Sequence, residues 1–264
     1  MAMTVCSLAS GSSGNATLVG AGGTRVLVDA GVSCKRICQQ LEALGVHPAE
    51  LSGILVTHEH VDHIRGIRVL SRKFGLPVYA NAGTWAAMAD QLELPASSVR
   101  VFDTAHDFYI DNLAVESFAI PHDAAEPVGY CLYSGAHKVA LATDIGHMTE
   151  QIAGRLLGSS LVLLESNHDV QMVLDGPYPE RLKRRILGQK GHLSNDEAGR
   201  TLLNLARSGV RHALLGHLSQ HNNIPELAYQ TVARELISGG AVLGQDMTVD
   251  MTWRDRAGAL YTLR

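Results

Sequence analysis

The sequence predicts one α/β domain spanning residues 1–264, with helices covering sheets on their outer faces. Short apolar or alternating runs recur with helical stretches between several of them, and no repeat, low-complexity segment or Pro/Gly-rich linker interrupts the pattern. A hydrophobic content of 46% with 18% charged residues belongs to an ordinary globular protein, and 264 residues suffice for a large core.

The elements follow in order. TRVLVDAG (24–31) reads as a strand and 33–44 as the helix after it. SGILVTH (52–58) is the next strand, followed by a helix over 62–74; LPVYAN (76–81) and a helix over 83–90 continue the alternation. LAVESFAI (113–120), GYCLYS (129–134) and KVALATD (138–144) are three strands in succession, with a helix over 147–157 after the last. SLVLLES (160–166) precedes helices over 177–187 and 194–208, and HALLGH (212–217) precedes one over 225–237. From Ala241 onward, the alternation of Val249, Met251 and Trp253 closes a sheet edge.

Composition excludes several function classes. MAMTVCSLASGSSGN has no basic region followed by an apolar run, so it does not read as a signal peptide, and no window reaches the roughly 18 apolar residues of a membrane span. A cytoplasmic protein is expected. The four cysteines form no CxxC pair; Cys34 and Cys38, one helical turn apart, read as packing in a reducing compartment. A net charge of −4 and a pI of 6.3 do not advertise nucleic-acid binding by the chain as a whole, although bound divalent cations would alter the local field. Thirteen histidines stand out.

Strands repeatedly end on a residue able to ligate a metal: Asp29, His58, His122, Asp144 and His217. Strand ends along one sheet edge are where a rigid scaffold can aim side chains at a common point. In THEHVDH (57–63), His58 and His60 alternate on an extended segment and can share an ion, and Asp62 and His63 follow where the chain turns into a helix and can face a second.

HxHxDH at 58–63, preceded by Asp29 in VDAG and followed by His122, Asp144 and His217, resembles the signature of the metallo-β-lactamase fold hydrolases. The likeness covers essentially the whole chain, and SLASGSSGN (7–15), TDIGH (143–147), LLESNHD (163–169), GHLSNDEAG (191–199) and LGHLSQHNN (215–223) resemble the YycJ-like (WalJ-like) branch. The resemblance implies an αββα sandwich of two mixed β-sheets with helices on the outer faces, a two-metal site on one edge, and a phosphodiesterase or nuclease activity of the DNA exonuclease type. It gives His58, His60 and His122 to one metal, Asp62, His63 and His217 to the other, and makes Asp144 the bridge. Asp29 would orient a ligating histidine. Two cations about 3.5–4 Å apart can acidify a shared water to hydroxide and neutralise the attacking and leaving oxygens of a displacement at phosphorus. Imidazoles suit Zn or Fe, and carboxylates with a bridging geometry also admit Mn.

Later motifs address the substrate. Glu165 ends a strand, and His192 lies just before a helix capped by Ser194 or Asn195; the pair is similar to that of RNase Z-type enzymes, which implies His192 as general acid and Glu165 as its orienter. A capping or packing role for His192 is the alternative. His168 and Asp169 are candidates for support of the site or for substrate contact. SGSSGN either makes a tight turn or offers backbone N–H groups, the hydroxyls of Ser12 and Ser13 and the amide of Asn15 to an anion. Asn222 and Asn223, in HLSQHNN, join the substrate or supporting residues. Two basic runs, Arg65, Arg68, Arg72 and Lys73 after the metal motif and Arg181, Lys183, Arg184, Arg185 and Lys190 before His192, are either solvated helix faces or phosphate contacts. An aromatic content of 5% argues against a long base-stacking platform.

The leading expectation is a two-metal phosphodiesterase acting on nucleic acid, DNA favoured. The alternatives are a thioester, lactone or lactam hydrolase of the glyoxalase II-like kind and a non-catalytic binding module, the latter disfavoured because no ligand position is missing.

Overall fold

The computed structural model describes residues 2–264. Among these residues fourteen strands form two seven-stranded mixed sheets flanked by helices, and the chain divides into two compact units. Among the described residues, the first comprises 2–117, 124–137 and 253–264, and the second 118–123 and 138–252.

In the first unit, β1 (Met3–Ala9), β2 (Ala16–Ala21), β3 (Thr24–Val28), β4 (Gly53–Leu55), β5 (Val78–Asn81), β6 (Val99–Phe102) and the C-terminal β14 (Tyr261–Leu263) form one sheet in the order β14-β1-β2-β3-β4-β5-β6. β1, β2 and β3 pair antiparallel through short connections, and β14, from the other end of the chain, adds antiparallel to β1. From β3 onward the pairs are parallel, because each connection crosses over through helix: α1 (Cys34–Ala43), then α2 (Val61–Ile64) with α3 (Ile67–Phe74), then α4 (Ala82–Leu92). Leu8, Leu27, Ile37, Leu41, Ile54, Ile67, Leu70 and Met88 fill one core cluster. Each such fully buried side chain contributes roughly 1.5–3 kcal/mol. The hairpin β7 (Phe108–Ile110) with β8 (Leu113–Ala119), and then β9 (Val128–Ser134), complete the unit.

The helix expected over 62–74 breaks at Arg65–Gly66, for a packing reason. Gly66 N donates to Ala30 O at 2.7 Å, and a Cβ on Gly66 would collide with the carbonyl oxygens of Val32 and Ala30. Gly31 likewise meets the Asp62 carbonyl. The turn after β3 and the start of α2 therefore approach backbone to backbone.

The second unit is built on four parallel strands, β10 (His137–Ala142), β11 (Leu161–Glu165), β12 (His212–Gly216) and β13 (Thr248–Met251), paired in that order. β11 is buried along its whole length and β10 and β12 nearly so, which explains their unbroken apolar sequences. The crossovers run through α5 (Glu150–Leu156), through α6 (Val170–Asp175), α7 (Glu180–Ile186) and α8 (Asn195–Arg207), and through α9 (Pro225–Ser238). Ser194 caps α8: its hydroxyl accepts from Glu197 N while the Glu197 carboxylate reaches back to Ser194 N, worth about 1 kcal/mol.

Each parallel set ends on one edge, where the chain leaves its strands. Asp29, Asp144 and His217 stand there in left-handed backbone, with φ of 61°, 59° and 55°. Non-glycine residues hold that conformation at a cost of roughly 1–2 kcal/mol each. All three are residues the sequence marked as ligands or their support.

Candidate active site

The first unit gathers one cluster around the end of β4. The strand stops at Leu55, and Val56 to His60 form a loop into α2. The Asp29 carboxylate organises that loop, accepting from Thr57 N and Thr57 Oγ1 at 2.9 Å each and lying 2.8 Å from His63 Nδ1. Thr57 Oγ1, its proton given to Asp29, accepts from His58 Nδ1 at 3.0 Å. This chain fixes both rings with the proton on Nδ1 and the lone pair on Nε2. His58 Nε2 lies 3.0 Å from His60 Nδ1, and Asp62 Oδ2 lies 3.6 Å from His63 Nε2. His58 and His63 are fully buried, whereas the Asp62 side chain keeps 21% of its exposure.

The second unit gathers the other cluster. His122 follows β8, Asp144 follows β10, Glu165 ends β11, His192 precedes α8 and His217 follows β12. Ligand atoms of Asp144, Glu165, His192 and His217 lie within 4.8 Å of one another. Asp144 Oδ1 is 3.5 Å from His217 Nε2, 3.7 Å from His122 Nε2 and 3.7 Å from His192 Nδ1. His122 donates its Nδ1 proton to Gly191 O at 3.1 Å, which turns its Nε2 lone pair toward Asp144. Burial lowers the His122 pKa, which favours the neutral ring.

Glu165 is the hub of this cluster. Its Oε1 accepts from His217 Nδ1 at 2.7 Å and from His192 Nδ1 at 2.9 Å, while Oε2 accepts from Ile145 N at 2.8 Å and Leu193 N at 3.0 Å. Complete burial pushes its pKa up, but the His192 and His217 imidazoles outweigh burial and hold it down at about 2. With four donors on an ionised carboxylate, Glu165 orients histidines rather than offering an oxygen elsewhere.

The remaining predicted residues occupy the surrounding loops. Asn15 is buried and engaged: its side chain bonds Gly11 through both ends and lies 3.2 Å from His63 Nε2. Ser12 is exposed and Ser13 half-buried on the same turn. Asn223 is buried, donating to Ser166 O and Asn167 O at 2.9 and 3.0 Å, and Asn222 O accepts from Asp169 N. Asp169 caps α6 through Met172 N. His168 is 1% exposed, its Nδ1 has no hydrogen-bond partner among the described residues, and burial draws its pKa down to about 4. The basic run on α3 is largely tied to Glu93, through Arg68 and Arg72. On α7, Arg185 bonds Asp123 and Lys183 bonds Leu174 O, while Arg181 is exposed.

Sequence reading missed Thr57, whose place immediately before His58 was the available signal, and Tyr130, which donates to Val56 O at 2.6 Å and had none. It also paired Glu165 with His192 alone and not with His217.

Comparison with known proteins decides the lineage. The family model described as "Beta-lactamase superfamily domain" matches residues 24–218. Over 93% of each chain, the protein is 40% identical to "Exodeoxyribonuclease YycJ" of Bacillus anthracis. It is 38% identical to "Exodeoxyribonuclease WalJ" of Streptococcus pneumoniae over 96% of this chain and 95% of that one. The chain belongs to the metallo-β-lactamase superfamily, in its YycJ/WalJ branch. Its fold matches that of the metallo-β-lactamase fold protein YhfI from Bacillus subtilis, with a TM-score of 0.74 at 17% identity, covering 99% and 100% of the two chains.

The superfamily implies divalent metal, and the donor set fits it. His58, His63, His122 and His217 each turn Nδ1 to an oxygen, the tautomer in which Nε2 is the nitrogen able to ligate, with Asp62 and Asp144 supplying carboxylate oxygen. Imidazole with carboxylate is a divalent-cation donor set.

Proposed function

We propose that this YycJ/WalJ relative is a dinuclear metal-dependent phosphodiesterase that degrades DNA from an end, with His192 as the proton donor. The observation that carries the reading is the bond between Glu165 Oε1 and His192 Nδ1 at 2.9 Å, beside Asp144. Following the family pattern, His58, His60 and His122 would hold one ion, Asp62, His63 and His217 the other, and Asp144 both. Zinc or manganese suits these donors, and iron is also compatible. Bound there, divalent cations supply a lowered pKa for water and neutralise charge on phosphate oxygens.

The chain's own residues perform the rest. Ionised Glu165 fixes the His192 ring through Nδ1, so that Nε2 is the nitrogen that exchanges a proton with the departing oxygen. The His192 side chain is 20% exposed, within reach of a substrate, while Glu165 beneath it is sealed from water. Asp29 and Thr57 hold His58 and His63, and Gly191 holds His122. A cation-binding edge with a proton donor suits hydrolysis of a phosphodiester whose leaving alkoxide needs a proton. The names of the relatives, both exodeoxyribonucleases, support DNA as the polymer. Among the described residues no helix is long and apolar enough to cross a membrane, and the four cysteines remain thiols, in keeping with a cytoplasmic enzyme.

The test is a substrate panel with elemental analysis of the holoprotein: bis-p-nitrophenyl phosphate, end-labelled single- and double-stranded DNA, RNA, S-lactoylglutathione and nitrocefin, each with and without chelator. The proposal expects two ions per chain and chelator-sensitive shortening of DNA from an end. Turnover confined to the thioester or the lactam would replace it with an acyl hydrolase.

A further inference from the structure

An aromatic pair in the second unit is wired to the catalytic cluster by its supports. Tyr178, in the segment between α6 and α7, meets His221 edge to face, with ring centroids 6.0 Å apart and planes at 73°. His221 is exposed and Tyr178 half-buried. His221 lies four residues beyond His217, in a loop whose backbone is fixed: Ser219 Oγ accepts from the amides of His221 and Asn222 at 3.4 and 3.2 Å, and Asn223 anchors the loop to Ser166 and Asn167. Asp169 N donates to Asn222 O at 2.9 Å, joining the start of α6 to the same loop.

Tyr178 also stands two residues before α7, which carries Arg181, Lys183, Arg184 and Arg185 and is joined to His192 by residues 187–191. Arg185 bonds Asp123, the neighbour of His122, and His192 N donates to Ile186 O at 3.1 Å. One basic helix thus has the aromatic corner two residues before its first residue, and His192, six residues beyond its last, bonds back to its final turn.

The chemistry of this corner matches a nucleotide. Every nucleobase has a π-face that stacks on an aromatic ring, and its phosphates seek cations. Two rings at 73° provide a floor for a base and a wall for its edge. We propose that Tyr178 and His221 form a stacking subsite for a nucleobase of the bound strand, a few nucleotides from the scissile phosphate, with the exposed cations of α7 serving the phosphates between. This rests on nucleic acid as the substrate. A lone subsite also suits a chain too poor in aromatics for a long platform.

The experiment uses the full chain in two arms. In the first, chelator-treated protein is titrated with single-stranded oligonucleotides carrying 2-aminopurine, read by quenching and anisotropy. Wild type is expected to bind and quench; Tyr178→Ala and His221→Ala each weaken binding roughly tenfold, the worth of one stacked base, while Tyr178→Phe binds as wild type. In the second arm, the metal-loaded variants are expected to hydrolyse bis-p-nitrophenyl phosphate at the wild-type rate while KM for DNA rises, more for long oligonucleotides than for dinucleotides. Unchanged binding in both alanine variants, equal loss in Tyr178→Phe, no oligonucleotide binding by wild type, or a parallel fall on bis-p-nitrophenyl phosphate would each overturn the subsite. A protein that binds oligonucleotide through Tyr178 but cleaves no phosphodiester would sink the proposed activity and leave the subsite standing.

Discussion

Glu165 Oε1 lies 2.7 Å from His217 Nδ1, closer than its 2.9 Å to His192 Nδ1. One buried carboxylate therefore fixes both a metal-ligand candidate and the proton-donor candidate, and its other oxygen is filled by two backbone amides. In Glu165→Gln the side-chain NH2 must face either those amides or the two imidazoles, so some donors lose their acceptor. The expected result is a fall of about 10–100-fold in metal affinity together with loss of turnover. Metal titration by competition with a chelating dye, alongside kcat at saturating metal, checks it; a variant with wild-type metal affinity would show that Glu165 does not orient His217.

His192 separates from Glu165 by that criterion. His192→Ala removes the ring but leaves Glu165 bonded to His217, so metal content is expected to stay at the wild-type value while kcat falls about 10²–10⁴-fold. Asp144→Ala, which removes the carboxylate facing His122 and His217, is expected to lose metal and activity together. Full activity in His192→Ala would take it out of the mechanism.

These distinctions bear on what the amino-acid order could convey. Residues that end strands were legible because a buried apolar run that stops on His or Asp is conspicuous: Asp144 after ALAT and His217 after ALLG both stand at the strand edge. What the order hid is how those residues are held. The strand expected over 52–58 stops at Leu55, since Asp29 and Tyr130 take the Thr57 amide and Val56 carbonyl out of the ladder, and neither partner is near in sequence. The left-handed backbone at Asp29, Asp144 and His217 leaves no trace in hydropathy. The helix α6 was missed because its signal is one capping side chain, Asp169, ahead of a single buried residue, Val173. The edge strand β14 is three residues long and only partly buried, too short for alternation to register.

The Asp29 carboxylate is expected to act on metal affinity rather than on the fold. Asparagine tolerates left-handed backbone, so Asp29→Asn keeps the turn at φ 61° while weakening the hold on His63 and Thr57. Metal affinity should fall by about 10–100-fold with little change in the thermal midpoint of the apoprotein. Equal metal affinity in Asp29→Asn would contradict the orienting role.

His168 gives the apoprotein a pH signature. Burial draws its pKa from 6.5 to about 4, so between those values the unfolded chain binds a proton that the folded chain excludes. Stability from this group therefore rises with pH across that window and is lost as pH falls from 6.5 to 4, by up to about 3 kcal/mol. His168→Gln should flatten this part of the curve. Urea midpoints of chelator-treated wild type and variant from pH 4 to 7 provide the check, with parallel curves counting against it.

Tyr130 supplies the last test, because it supports the loop into His58 from a distance in sequence. Its hydroxyl donates to Val56 O at 2.6 Å in a fully buried setting, and Val128 N, from the same strand β9, donates to Thr57 O at 3.0 Å. Both carbonyls would otherwise be orphaned where β4 ends three residues before His58. In Tyr130→Phe the Val56 carbonyl loses its donor, at a cost of about 1–3 kcal/mol, with no change in apolar packing. The variant should fold, unfold at lower urea by that amount, and bind metal more weakly because His58 is less firmly placed. A loss of stability with metal affinity untouched would confine Tyr130 to the core; a drop in both would show that β9 sets the geometry of His58.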